Sequence, residues 1–301
     1  MNRFLTITFT CMALFAWTGT ASAQSSTDSS TSYAAPSAGG ADALAGADLS
    51  VEARLTKDGG IITKGLVWRV FDTVKDENGN LALIATAKGG SASFQIAPGS
   101  YIVNASYGRA GATKRVQLSR DGLTENFVLE AGGLKLNAIA SNGSDLKARH
   151  LKFTVYEARR DAKGNRKLIA RDVPSDRILR LNSGTYHVVS SYGTINASVR
   201  ADLRVQAGKL TEAVLQHRAA QVFLKLVSER GGEAIADTAW SVFTEQGDVV
   251  QESSSTFPTL ILAEGSYSAI ARHRGNVFTH DFKVESGVNQ DVDVLAQNPQ
   301  K

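Results

Sequence analysis

A tyrosine that returns three times in one repeated pattern constrains this chain more than any other feature. Ile96-Ala97-Pro98-Gly99-Ser100-Tyr101 recurs as Leu181-Asn182-Ser183-Gly184-Thr185-Tyr186 and as Leu262-Ala263-Glu264-Gly265-Ser266-Tyr267, with the tyrosines 85 and 81 positions apart. An aromatic segment precedes each copy: Trp68-Arg69-Val70-Phe71, Phe153-Thr154-Val155-Tyr156 and Trp240-Ser241-Val242-Phe243. Tyr107-Gly108, Tyr192-Gly193 and Arg274-Gly275 follow, and then glycine turns at Gly122, Gly208 and Gly287. Four markers in one order, three times over, define a tandem repeat. The spacing sets boundaries at 48–132, 133–219 and 220–298.

Within each repeat the apolar residues alternate. In Tyr101-Ile102-Val103-Asn104-Ala105-Ser106-Tyr107 the odd positions form one face, the period of a strand. Leu66–Phe71, Lys152–Tyr156 and Ala239–Phe243 read as central strands that bring a large aromatic to the core. Asn78-Gly79 and Gly164-Asn165 sit between apolar runs and read as hairpin tips, and Gln246-Gly247 closes a shorter one. The 27 glycines suit short strands joined by tight turns. The prediction is an all-β chain of three tandem, seven-stranded Greek-key sandwiches. Tyr101, Tyr186 and Tyr267 then read as tyrosine corners, ring in the core and hydroxyl bonded back to nearby backbone. Gly99, Gly184 and Gly265 provide the sharp entry into the strand.

This set of markers resembles the transthyretin-like sandwich, shared by carboxypeptidase regulatory-like and Cna-B-type domains of bacterial surface proteins. It is also similar to segments in the C-terminal parts of some proteins with von Willebrand factor A domains. The resemblance covers nearly all of residues 48–298 and implies a spacer, a stalk or a binding module. It implies no hydrolase chemistry: Tyr107-Gly108-Arg109-Ala110 lies inside a repeat and reads as a strand end. The isopeptide of Cna-B-type domains would have to draw on Lys57, Glu52 and Asn126, and no equivalent set recurs in the other repeats.

The N-terminus reads as a secretory signal. Met1-Asn2-Arg3 is basic, Phe4–Trp17 is apolar but short for a bilayer span, and Ala21-Ser22-Ala23 is a small-residue cleavage site. Residues 1–23 are therefore expected to be removed, leaving a periplasmic or secreted protein. Residues 24–47, rich in Ser, Thr, Ala and Gly, read as a disordered linker. Cys11 is the only cysteine, so the mature chain has no disulfide and no thiolate chemistry.

No catalytic, cofactor or metal motif emerges. The five histidines, His150, His187, His217, His273 and His280, do not assemble a ligand set, and no serine stands in a nucleophile elbow. Asp76-Glu77-Asn78-Gly79-Asn80 places its glycine too early for a calcium loop. Charge is more informative. Residues 48–132 hold 10 basic and 9 acidic residues, 133–219 hold 16 and 7, and 220–301 hold 6 and 11. In the middle repeat Arg159, Arg160, Lys163, Arg166, Lys167 and Arg171 crowd one hairpin. Such a cluster is a solvated turn, a contact with the acidic neighbouring repeat, or a site for an anionic partner. The partners that fit an exported chain are an envelope protein, an anionic glycan or a lipid. Nucleic acid does not, since the hairpin lacks stacking aromatics, and no transmembrane segment is expected. The sequence thus points to a non-enzymatic structural or binding module of the envelope without a cofactor. An enzyme or enzyme subunit acting on an envelope polymer, or a small-ligand carrier, is the alternative.

Overall fold

The computed structural model describes residues 46–297. The expected signal peptide and the linker up to residue 45 lie outside the described residues. Ala47, read as linker from its composition, instead opens the first strand, because it pairs with Ile96 and is buried.

The described chain is built of three sandwiches of seven strands each. Repeat 1 comprises β1 (Ala47–Arg54), β2 (Leu66–Lys75), β3 (Leu81–Gly89), β4 (Ala92–Ile96), β5 (Gly99–Tyr107), β6 (Ala110–Leu118) and β7 (Leu123–Val128). Repeat 2 comprises β8 (Ala131–Ala140), β9 (Leu151–Arg160), β10 (Arg166–Val173), β11 (Ile178–Asn182), β12 (Gly184–Tyr192), β13 (Ser198–Val205) and β14 (Leu210–His217). Repeat 3 comprises β15 (Ala219–Val227), β16 (Ala239–Thr244), β17 (Val249–Ser253), β18 (Thr259–Ala263), β19 (Gly265–His273), β20 (Asn276–Val284) and β21 (Gln290–Leu295). Each repeat pairs a four-stranded sheet, β3-β2-β5-β6 in the first, with a three-stranded one, β4-β1-β7, whose first and last strands run parallel.

Alternation builds the cores. Leu66, Trp68 and Val70 face inward from β2, as do Leu151, Phe153 and Val155 from β9. Trp68 meets Phe127 edge-on at 5.1 Å and donates its indole N–H to Gly90 O at 2.7 Å, so its one polar atom is satisfied. The repeated tyrosines make one contact in three places. Their hydroxyls donate to the carbonyl four residues upstream: Tyr101 to Ala97 at 2.7 Å, Tyr186 to Asn182 at 2.8 Å and Tyr267 to Ala263 at 2.8 Å. Tyr186 and Tyr267 are buried, whereas Tyr101 is half-buried. Gly184 and Gly265 have φ of 156° and 157°, but Gly99 lies outside the positive-φ set, so no backbone conformation demands glycine there. Lys57 is exposed in a turn and does not join Glu52 and Asn126, neighbours across β1 and β7, in a buried triad.

Consecutive repeats interlock by one device. The turn after the fifth strand of one repeat seats on the fourth strand of the next. From repeat 1, Arg109 N–H donates to Arg180 O at 3.0 Å, and the Arg180 guanidinium lies 4.4 Å from the centre of the Tyr107 ring. The Asn182 side-chain amide donates to Gly111 O and Leu129 O at 3.1 and 2.6 Å, while its oxygen accepts from Gly111 N. Between repeats 2 and 3, Asn196 accepts from Ala263 N and donates to the Tyr267 hydroxyl, both at 2.9 Å. Here the cores also exchange residues: Ile261 of repeat 3 is buried in the core of repeat 2, and Ile195 packs against the core of repeat 3.

His217 closes repeat 2 at that second junction. Its ring is buried, shares a 2.8 Å hydrogen bond with the equally buried Ser190 hydroxyl and lies edge-on to Tyr192 at 6.1 Å, while its carbonyl accepts from Ser141 N and Ser286 Oγ. Burial holds its pKa below the ordinary 6.5. Above that ordinary value neither folded nor unfolded His217 carries a proton, and its contribution to stability is complete. As pH falls the unfolded chain protonates first, so stability declines until the folded pKa is passed, by at most about 1.4 kcal/mol per pH unit. His150, also lowered by burial and by Arg149 and Lys147, adds a slope of the same sign. Urea melts between neutral and mildly acid pH should show this decline, and His217→Gln should flatten much of it. An unchanged slope in that variant would remove His217 as its source.

Candidate functional site

The hairpin of β9 and β10 has a twin in repeat 1. Val155 pairs with Ala170 as Val70 does with Ala85, Tyr156 with Leu168 as Phe71 with Leu83, and Arg160 with Arg166 as Lys75 with Leu81. The tips match atom for atom. Asp161 Oδ1 accepts the N–H groups of Lys163 and Asn165 at 2.9 and 2.8 Å, and Asp76 Oδ1 accepts those of Asn78 and Asn80 at the same distances. Gly164 and Gly79 supply φ of 82° and 79°. The shared turn thus rests on the aspartate and the glycine; of the cations around them only Arg160 has a cationic counterpart, Lys75, in repeat 1. In repeat 3 Thr244 does the aspartate's work, donating its N–H to Asp248 O and accepting Asp248 N–H at its hydroxyl. It follows Phe243 directly, whereas Asp161 stands five positions after Tyr156, so that hairpin ends without an overhang.

On this shared backbone the chemistry changes. Val74, Leu81, Ala82 and Thr86 of repeat 1 stand where repeat 2 carries Arg159, Arg166, Lys167 and Arg171. Arg160 and Arg166 face each other directly across the ladder, a placement that costs stability because like charges repel. Arg160 turns its guanidinium to Gly164 O at 2.7 Å. Arg166 keeps a buried Nε with no hydrogen-bond partner among the described residues.

Glu157, Arg159 and Lys167 line two adjoining concavities. One, of about 440 Å³, runs along the hairpin and adds Arg160 and Arg166. The other, of about 370 Å³, lies at the tyrosine corner and adds Thr185, Tyr186 and Arg109, the last from the turn of repeat 1. Of the six cations singled out from the sequence, four therefore share this groove. Lys163 sits at the exposed tip, and Arg171 lies farther along β10, outside the groove. Arg109 is a groove residue that sequence reading passed over; only the junction hydrogen bonds bring it there.

The groove's two acids are already engaged. Glu157 pairs with Lys167 at 3.0 Å, and Asp161 is held by the backbone of the turn. Among the described residues Arg109, Arg159, Arg160 and Arg166 form no ion pair. A larger concavity of about 510 Å³ at the junction of repeats 2 and 3 behaves differently, since its Arg218 is neutralised by a two-pronged pair with Glu264 at 3.0 and 2.8 Å. Uncompensated arginines in a concave surface produce a local positive field and offer planar donors suited to carboxylate, sulfate or phosphate.

Comparison with known proteins places residues 221–296 in a match to the family described as the Rhizobiales growth-associated tandem repeat domain. No curated protein sequence matches the chain. Among solved structures it is similar to the Bacillus anthracis TIE protein, at 15% identity and a TM-score of 0.25, over 83% of this chain and 51% of that one. The chain thus spans about half the length of that protein. It is also similar to a streptococcal ancillary pilin, at 12% identity and a TM-score of 0.29, over 82% and 98% of the two chains. A third is BcpA, the major pilin subunit of Bacillus cereus, at 9% identity and a TM-score of 0.22, over 83% and 99%. Among the described residues no helix is long and apolar enough to cross a membrane.

Proposed function

We propose that this chain is a non-enzymatic exported module of the cell envelope, periplasmic or secreted, that holds an anionic partner through the basic hairpin of repeat 2. The observation that supports this is internal to the molecule. From the Val155 and Val70 pairs to the tip the two hairpins share register and tip hydrogen bonds, yet Val74, Leu81 and Ala82 of the first stand where the second presents Arg159, Arg166 and Lys167; only Arg160 has a cation, Lys75, as its counterpart. Folding does not require those cations, and the facing pair Arg160 and Arg166 works against it. Exposed charges add little to stability in any case. A concentration of charge in one copy of three is then accounted for by contact with something of opposite sign. The leader read at residues 1–23 would place that contact outside the cytoplasm.

The test is retention on an immobilised anionic glycan and on anionic lipid vesicles. The intact protein should bind at low salt and elute as salt rises, since the Debye length falls from about 10 Å at 0.1 M to about 3 Å at 1 M. A variant carrying Arg159→Gln, Arg160→Gln, Arg166→Gln and Lys167→Gln should flow through both, with stability altered by no more than about 0.5 kcal/mol per site. Co-elution of the two proteins at low salt would reduce the hairpin to a solvated turn.

A further inference from the structure

Resting on that reading, we infer that the partner is a linear acidic glycan laid lengthwise in a groove that repeat 1 helps to build, with Arg109 as a contact at its far end. The two concavities share Glu157, Arg159 and Lys167 in their linings, so the same side chains face both the hairpin and the repeat junction. Cations are spread along them. Arg160 and Arg166 stand in the outer part, Arg159 and Lys167 in the shared middle, and Arg109 in the inner part. A single anionic group engages one of these regions at a time. A chain with an acid on successive units engages all of them, and each added contact is made at high effective concentration.

The geometry also separates a glycan from other polyanions. The cations line concavities bounded by the hairpin on one side and by Arg109 of the preceding repeat on the other, a shape that suits a chain more than a flat surface. The groove further contains the Glu157 and Asp161 carboxylates and the exposed Thr185 hydroxyl. Carboxylates repel a ligand that offers only acids. Their second oxygens, Glu157 Oε2 and Asp161 Oδ2, which the Lys167 pair and the turn do not use, accept hydrogen bonds from one that alternates acids with hydroxyl donors, as a uronate chain does. The backbone that carries Arg109 is fixed, because its N–H is tied to Arg180 O and Asn182 clamps Gly111 close by, while the side chain is exposed. Substituting its side chain leaves those anchors in place.

Calorimetric titration of the intact protein with galacturonate oligomers of increasing length tests this, with inorganic phosphate as the single-anion probe. Affinity should rise about a hundredfold from the shortest to the longest oligomer, and phosphate should bind weakly. Arg109→Gln should weaken the longest oligomer about tenfold and the shortest by a much smaller factor, with Arg109→Lys recovering part of the loss. Binding that does not grow with length, or an Arg109→Gln variant equal to the intact protein, overturns the groove while leaving the hairpin reading intact. Stronger binding to anionic vesicles or to polyglutamate overturns the choice of a glycan. If no polyanion distinguishes the intact protein from the fourfold glutamine variant, the hairpin reading itself fails.

Discussion

Replacing Tyr186 by alanine should destabilise repeat 2 by about 3–5 kcal/mol, the cost of deleting a large aromatic from a packed core. Replacing it by phenylalanine should cost about 1 kcal/mol, the worth of one hydrogen bond to Asn182 O. The alanine effect should spread. The Asn182 side chain ties this corner to Gly111 and Leu129 of repeat 1, so loosening the corner releases the junction. Hydrogen exchange should show lost protection in β11 and β12 and also in the turn at Gly108–Gly111. Tyr101→Ala should be milder, because that ring is half-buried and no preceding repeat leans on it among the described residues. If Tyr186→Ala leaves the exchange of β12 unchanged, the tyrosine corner does not hold the repeat together.

The architecture was legible because its signals are local and repeated. The Gly-x-Tyr marker, the alternating strands and the tip glycines each follow from backbone geometry a few residues long, and three copies reinforce one another. The junctions were not legible in the same way. Ile195 is an apolar residue in a turn, and Ile261 one of several on a short strand; that each packs into the neighbouring repeat depends on how two sandwiches meet. A hint was present in the longer turn of repeat 2, Gly193-Thr194-Ile195-Asn196, beside Gly108-Arg109 in repeat 1.

The candidate site divides along the same line. Clustered cations near Gly164 could be read directly, but not their sorting. Lys167 is neutralised by Glu157, ten residues earlier, through strand register, and Arg171 falls outside the groove. Arg109 lies some fifty residues before the hairpin and joins it only because repeat 1 docks on β11. Sequence proximity reveals a charged turn. Tertiary contact decides which of its charges share a recess.

The most direct test exchanges chemistry between the twin hairpins. Repeat 2 would receive the residues of repeat 1 through Arg159→Val, Arg166→Leu and Lys167→Ala, and repeat 1 would receive the reverse set, Val74→Arg, Leu81→Arg and Ala82→Lys. The tip hydrogen bonds of Asp76 and Asp161 are untouched, and each set already stands in the same register near the tip of its own hairpin. Affinity for a long galacturonate oligomer at low salt is the quantity to measure. The chain with a neutralised repeat 2 should lose binding at an unchanged melting midpoint. Adding the cationic set to repeat 1 should restore part of it, weaker than the original because among the described residues no preceding repeat supplies a counterpart to Arg109. If the neutralised chain binds as tightly as the unaltered protein, the basic hairpin of repeat 2 is not the binding site.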